Sequence, residues 1–263
     1  MIASRNTNTM MYPAYEYLKT YGLHENSRNG PVLAVNHPVL LQYTAPMEKV
    51  NFCPVRNANP FFHFFEALWM LEALGDVAFI TEFVPRMAEY SDNGVGFNAH
   101  YGRNARHLFR KDQLHEVARV LQKDPTSRQA LVQLWNVNDL GAVTKDKACN
   151  TQLMFRVVNN HLNMTVCNRS NDAIWGGVSG ANITNLFIFQ EYIAALAGFP
   201  VGYTFVMSNN LHMYLDNPQT EALFDKYTGH TTEGCGYLCE DPYTAHKVSA
   251  MKMITYPNLF DDE

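Results

Sequence analysis

Two hydrophobic periods organise this chain. Phe61, Phe64, Phe65, Leu68 and Trp69 recur at helical spacing and predict a helix with a broad apolar face. It is entered through Asn59-Pro60, an N-cap residue followed by proline at the first helical position, and Gly75 stops it. Leu114, Val117 and Leu121 line one side of an amphipathic helix over 112–122, ended by Lys123-Asp124-Pro125. Leu186, Phe189, Ile193 and Leu196 belong to a helix over 182–197 that is apolar nearly all round, the pattern of a segment central to a core. A short helix is expected over 14–20. The period of two takes over at 151–158 and 161–168, where Leu162, Met164 and Val166 alternate with His161, Asn163 and Thr165. Asn159-Asn160 between them predicts a hairpin. Further strands are expected at 33–37, 39–44, 130–135 and 203–207. Residues 85–107 are polar, glycine-rich and dotted with aromatics, and predict a loop lining a site; from about 216 onward the chain is polar and loop-like. No internal repeat or linker interrupts the pattern, so the expectation is a single α+β domain over 1–263.

Composition narrows the class. The 263 residues are 47% hydrophobic and 17% charged, enough for one sizeable core. No apolar run is long enough for a transmembrane helix, and the first residues lack the apolar stretch of a signal peptide, so the expectation is no membrane partner and a cytoplasmic protein (the host cytoplasm if viral). A net charge of −5 argues against a nucleic-acid surface but leaves room for a local anion pocket. Five cysteines, odd in number and without paired CxxC sets, fit a reducing compartment; Cys235 and Cys239 lack a second pair to complete a metal site, and no metal is expected.

The chemistry concentrates between Cys149 and Asn182. Cys149 is a candidate nucleophile at the start of one hairpin strand, and Arg169, Ser170 and Asp172 follow the return strand. A thiol, a cation, a hydroxyl and a carboxylate suit a small phosphorylated molecule that is attacked covalently. Glu66 lies within an apolar helical face, where burial would raise its pKa. Arg28 stands on the Ser27-Arg28-Asn29-Gly30-Pro31 turn and reads, on its own, as a surface arginine. Cys167 reads as packing, and His63, His107, His161 and His246 as ordinary surface or core histidines.

Taken in order, these stretches resemble the thymidylate synthase family, including its nucleotide hydroxymethylase branch. Arg28-Asn29-Gly30 is similar to the phosphate-loop arginine, Glu66-Ala67-Leu68-Trp69 to the E-L-L-W helix, and Tyr101-Gly102 to the Y-G loop. Asp112-Gln113-Leu114, Pro125-Thr126-Ser127-Arg128, Arg169-Ser170-Asn171-Asp172 and His212-Met213-Tyr214 resemble the D-Q-L, P-x-S-R, R-S-C-D and H-x-Y motifs, with Cys149 at the nucleophile's place. The resemblance implies a large mixed β-sheet packed with helices and a homodimer formed through that sheet, with the site shared between subunits. It implies a pyrimidine deoxynucleoside monophosphate as substrate and 5,10-methylenetetrahydrofolate as cosubstrate. Cys149 would add to the pyrimidine C6, with Glu66 and Tyr101 assisting around C4 and C5. Arg28, Arg169 and Ser170 would bind the 5′-phosphate, joined by Arg128 from the partner subunit. His212 and Tyr214 would hold the ribose, Asp172 the folate pterin, and Asn182 the base. A nearby arginine would help depress the Cys149 pKa.

The departures from the family pattern bear on the product. Cys149 is followed by Asn150 rather than His, and R-S-C-D has become R-S-N-D, as in the hydroxymethylase branch. The folate-flanking tryptophans of the synthases fall, counting back from Tyr101, at Met87 and Tyr90. Losing two indoles would admit water, and a hydride wins only where water is excluded. The sequence also ends in Phe260-Asp261-Asp262-Glu263 rather than in a short apolar segment that closes the site. The expectation is hydroxymethylation, with reductive methylation and a catalytically inactive nucleotide-binding homologue as alternatives. Asn182 has an amide suited to uracil, so dUMP is favoured with dCMP as runner-up, although two extra residues separate Asn182 from Asp172. Gln129 replaces the second arginine of the family's S-R-R pattern.

Overall fold

The computed structural model describes residues 1–53, 56–218 and 220–221. The chain begins with strand β1 (Ile2–Ser4) and helix α1 (Thr7–Tyr21). This helix starts well before the expected 14–20, because Pro13, which reads as a helix breaker, is held inside it. A capping box between Asn6 and Thr9 secures its start. Strands β2 (Gly22–Ser27), β3 (Gly30–Val35) and β4 (Val39–Tyr43) follow. Helix α2 (Pro60–Leu71) starts as expected, with Asn59 accepting from the Phe62 amide. The region 85–107 is only partly loop. It contains a 3-10 turn over Pro85–Tyr90 and a short helix, α4 (Tyr101–Arg106), preceded by α3 (Val77–Thr81). Helix α5 (Gln113–Lys123) is capped by Asp112.

After β5 (Leu131–Gln133) comes the hairpin of β6 (Asn150–Val158) and β7 (His161–Asn168), its turn made by Asn159 and Asn160 with φ of 49° and 61°. Asparagine tolerates this left-handed conformation better than other non-glycine residues. Strand β8 (Asn171–Asp172), helix α6 (Ala181–Ala197), β9 (Val201–Ser208) and β10 (Leu211–Tyr214) complete the described elements.

Two sheets result: six strands in the order β1-β4-β9-β7-β6-β5, and four in the order β2-β3-β10-β8. The large sheet is mixed, with β7 parallel to β9 and antiparallel to β6. Leu162, Met164 and Val166 face the core with Val206 and Leu153. Helix α6 carries Ile183, Leu186, Phe187, Phe189 and Ile193 into the same cluster. The other sheet face carries cross-strand rows that run Gln42, Phe205, Thr165, Met154, Leu131 and Leu40, Met207, Cys167, Gln152, Gln133. Met207 and Leu131 remain 44% and 40% exposed there. No helix among the described residues is long and apolar enough to cross a membrane.

Candidate active site

The hairpin sets the geometry. Cys149 immediately precedes β6, and Arg169 immediately follows β7. The Arg169 amide donates to the Cys149 carbonyl at 3.0 Å, and the Arg169 Nε donates to the Ala148 carbonyl at 2.8 Å. The guanidinium is thereby fixed beside the nucleophile. Two strands of the small sheet then bring in distant residues. His212 on β10 pairs with Asp172 on β8, and Tyr214 pairs with Val32 on β3. The β2–β3 turn carries Arg28, whose Nε donates to Asn29 Oδ1, while Asn29 Nδ2 donates to the Tyr214 hydroxyl at 3.4 Å. Arg28 and Arg169 are both exposed, and both act electrostatically on the Cys149 thiol.

Helix α4 supplies Tyr101. Its hydroxyl oxygen accepts from the backbone amides of Cys149 and Asn150 at 3.0 and 3.2 Å. Tyr101 is buried on a helix rather than placed on a loop. Its packing depends on Gly102, where a Cβ would sit 1.6 Å from the Met70 carbonyl oxygen of α2. Glu66, one turn earlier on α2, is buried and accepts from Asn185 Nδ2 at 2.7 Å. Burial pushes the Glu66 carboxyl up to about 7, against the lowering effect of that hydrogen bond.

Burial also pushes the Cys149 thiol up, more than Arg169 and Arg28 pull it down. The expected arginine effect is present, but desolvation outweighs it. Burial raises the Tyr101 phenol, with the neighbouring Cys149 adding to the effect. Asp172 is pushed up and His212 down, each by burial and each opposed by the other across the β8–β10 pair. Asp172 Oδ1 accepts from the Ile174 amide at 2.7 Å and the Trp175 amide at 3.4 Å, which fixes the turn that follows it.

Asn182 is half-buried in the first turn of α6, without a side-chain hydrogen bond among the described residues. The extra residues before it form a loop in which the Gly176 amide donates to the Asp172 carbonyl and the Gly180 amide to the Gly176 carbonyl. Asn185, three residues on, is the amide that reaches Glu66, and the sequence reading missed it. The signal was its helical spacing from Asn182. Asn171 acquires a definite job: its Nδ2 donates to Ser208 Oγ at 2.8 Å and its Oδ1 accepts from the Gly177 amide, tying the glycine loop to β9. Met87 is half-buried against the core and Tyr90 is 44% exposed, both on the 3-10 turn. Asp92, just beyond it, bonds Thr144 Oγ1 and the Lys145 amide, which anchors this segment to the approach to Cys149. Ser170 is half-buried, and Arg128 is exposed without a partner among the described residues. Cys167 is buried and accepts from Gln152 Nε2 at 3.6 Å. His63 is buried, not superficial, with its pKa lowered to about 4 by desolvation. Cys235, Cys239, His246 and the C-terminal Phe260-Asp261-Asp262-Glu263 lie outside the described residues.

Among the described residues no cluster of His, Cys, Asp and Glu could hold a metal. Comparison with known proteins gives the family. The thymidylate synthase profile matches residues 22–229. The chain belongs to the thymidylate synthase family. It is 37% identical over 252 residues to a protein of Pseudomonas phage M6 named deoxyuridylate hydroxymethyltransferase, covering 93% of this chain and 70% of that relative. A protein of the same name from Bacillus phage SP01 is 36% identical over 192 residues, 68% of this chain and 50% of the relative. The thymidylate synthase of Mycoplasma mobile is 27% identical over 117 residues, 44% of this chain and 40% of its own length. These two phage relatives match over more of the chain, and at higher identity, than the Mycoplasma mobile thymidylate synthase does.

Proposed function

We propose that this protein is a one-carbon transferase that hydroxymethylates dUMP at C5. The observation that carries the reading is its similarity, over 93% of the chain, to a protein named deoxyuridylate hydroxymethyltransferase. The gathering of Arg169, Tyr101 and Asp172 around Cys149 supports it. The catalytic unit in this reading is one domain spanning 1–263.

The 5′-phosphate lies against Arg28, Arg169 and Ser170, with Arg128 contributed by a second subunit. Its charge keeps both local arginines in place beside Cys149. Cys149 loses its proton and its sulfur forms a bond to C6 of the pyrimidine, placing electron density on C5. His212 and Tyr214 hold the ribose, and Asn182 meets the base edge. Glu66, near neutrality in its pKa, moves protons around C4 and C5. Tyr101 holds the backbone of the nucleophile and in this reading assists removal of the C5 proton.

The donor set fits a folate: an anchored carboxylate at Asp172, with Trp175 partly open beside it. 5,10-Methylenetetrahydrofolate supplies a one-carbon unit at the oxidation level of formaldehyde when bound there. C5 would take that carbon as its bonds to the two folate nitrogens break, each nitrogen gaining a proton, and loss of the C5 proton would leave the base with an exocyclic methylene while still joined to Cys149. Water adds its oxygen to that methylene, the sulfur–C6 bond breaks, and the proton returns to solvent. No hydride is consumed, so the folate leaves as tetrahydrofolate. Met87 and Tyr90 leave more room for that water than paired indoles would.

The large sheet supports a homodimer: one face lies in the core, and the other bears Phe205, Met207, Met154 and Leu131 in adjoining rows. A second copy of this chain would bury them and bring Arg128 across.

The test is incubation with methylenetetrahydrofolate and dUMP or dCMP, with product masses resolved. Hydroxymethyl-dUMP with tetrahydrofolate is expected, and none from a Cys149→Ser variant that still binds dUMP. A methyl product with dihydrofolate would overturn the reading, and turnover of dCMP in preference to dUMP would overturn the substrate.

A further inference from the structure

Asp146 stands three residues before Cys149 and is joined to the segment that carries Tyr101. Its Oδ2 accepts from the Ala99 amide at 2.7 Å, and its carbonyl accepts from Asn98 Nδ2 at 3.3 Å. Three residues on, the Cys149 amide donates to the Tyr101 hydroxyl at 3.0 Å. Two rungs therefore bind 99–101 to 146–149, one made by the carboxylate and one by the nucleophile's backbone. The same stretch is fastened beyond the 3-10 turn. Thr144 Oγ1 and the Lys145 amide donate to Asp92, two residues after Tyr90, and the Asp146 amide donates to Thr144 Oγ1 at 3.2 Å. Asp146 is thus tied both to the nucleophile and to the wall that carries Met87 and Tyr90. Its negative charge opposes ionisation of the Cys149 thiol and of the Tyr101 phenol. An asparagine would serve the Ala99 amide equally well. A half-buried charge that hinders the first step of the reaction calls for a use in a later one.

We propose that Asp146 is the base that takes the proton from the water captured by the exocyclic methylene. This rests on the hydroxymethylase reading and adds a residue to it. Water is a poor nucleophile until its proton has somewhere to go. A carboxylate has about four acceptor positions, so the backbone amide it meets leaves others for a water. Burial pushes the Asp146 carboxyl up, against the lowering effect of that amide, which makes it a stronger base than a solvated aspartate. In the step, the water oxygen bonds to the methylene carbon and its proton passes to Asp146. The methylene π pair moves onto the ring C4 carbonyl, then returns to form C5=C6 as the sulfur–C6 bond breaks. Sulfur leaves with the bonding pair as thiolate, and Asp146 passes the proton to solvent. A partly open cleft, lined in part by Asn98, Thr144, Lys147 and Arg169, runs along this stretch and gives the proton a way out. Glu66 and Asp172 are engaged elsewhere: Asn185 Nδ2 holds the first, and the turn after β8 holds the second.

The test uses the full chain with methylenetetrahydrofolate and dUMP tritiated at C5. Tritium release reports the steps up to loss of the C5 proton, and product mass reports water capture. Asp146→Asn keeps an oxygen for the Ala99 amide but no base. It lowers hydroxymethyl-dUMP formation about a hundredfold, as expected for a lost general base. Tritium release in a single turnover stays within about threefold of the parent, because removing the charge favours the Cys149 thiolate. Added 2-mercaptoethanol, whose thiolate needs no base, captures the methylene in the variant and gives a thioether of the nucleotide. Asp146→Ser, with a hydroxyl for the same amide, is read in the same way if the asparagine variant does not fold. Equal loss of tritium release and product, or no loss of either, overturns the base while leaving the hydroxymethylase reading intact. So does a variant that releases tritium yet yields no thioether, since the methylene is then not what accumulates. A parent protein that forms methylated dUMP with dihydrofolate overturns both.

Discussion

Glu66 and Asn185 form a buried pair in which the amide stabilises the ionised acid while burial opposes it. The carboxyl ordinarily titrates near 4.5 and here near 7, so the folded protein holds this proton more tightly than the unfolded chain. Its contribution to stability is therefore complete below the unfolded value and is lost as pH rises through about 7. For activity, the pair predicts an inflection near neutrality in kcat. Asn185→Ala should move that inflection to higher pH by about one unit, the size expected for a lost hydrogen bond to a charged group. Glu66→Gln should abolish it. A pH–rate profile that is identical in parent and Asn185→Ala would show that the pair does not govern catalysis.

At the scale of elements, the closeness of α2 and α4 is set by Gly102. Gly102→Ala has to push the Met70 carbonyl away and should cost about 3 kcal/mol, read as a fall in the denaturant midpoint. The kcat should fall as well, because Tyr101 moves with its helix. Periodicity made much of this level legible. The α2 start at Asn59-Pro60, the β6–β7 hairpin and the apolar α6 could be read because each satisfies one strong local rule. The first half of α1 could not, since Pro13 locally argues against the helix that tertiary packing holds. Tyr101 was read as a loop residue because α4 is short and polar on its surface, and its helix is stabilised by packing on α2. At the site, the motif order picked out Cys149, Arg169 and Asp172. Asn185 and Asp146 escaped because their partners, Glu66 and Ala99, are brought close only by the fold.

A sheet whose second face carries Leu131, Met154, Phe205 and Met207 suits self-association, and the protein should elute as a dimer. Met207→Glu should shift it towards monomer and lower activity, because Arg128 then has no neighbouring site to enter. Mixing inactive Cys149→Ser with inactive Arg128→Ala protein, after subunit exchange, should restore about a quarter of parental activity, since each mixed dimer assembles one intact site. No recovery despite proven exchange would place Arg128 in its own subunit's site or outside any site.

The two amide bonds received by the Tyr101 hydroxyl also change how this residue can be interrogated. Tyrosine-to-phenylalanine is the usual probe of a phenolic proton, on the assumption that the vacated position is inert. Here it would strip an acceptor from two consecutive backbone N–H groups at the nucleophile, and unsatisfied buried donors provoke rearrangement. The lost rate would then mix displaced sulfur with absent acid–base chemistry. A ring-fluorinated tyrosine, which keeps the oxygen and its acceptor role while making the hydroxyl more acidic, separates the two.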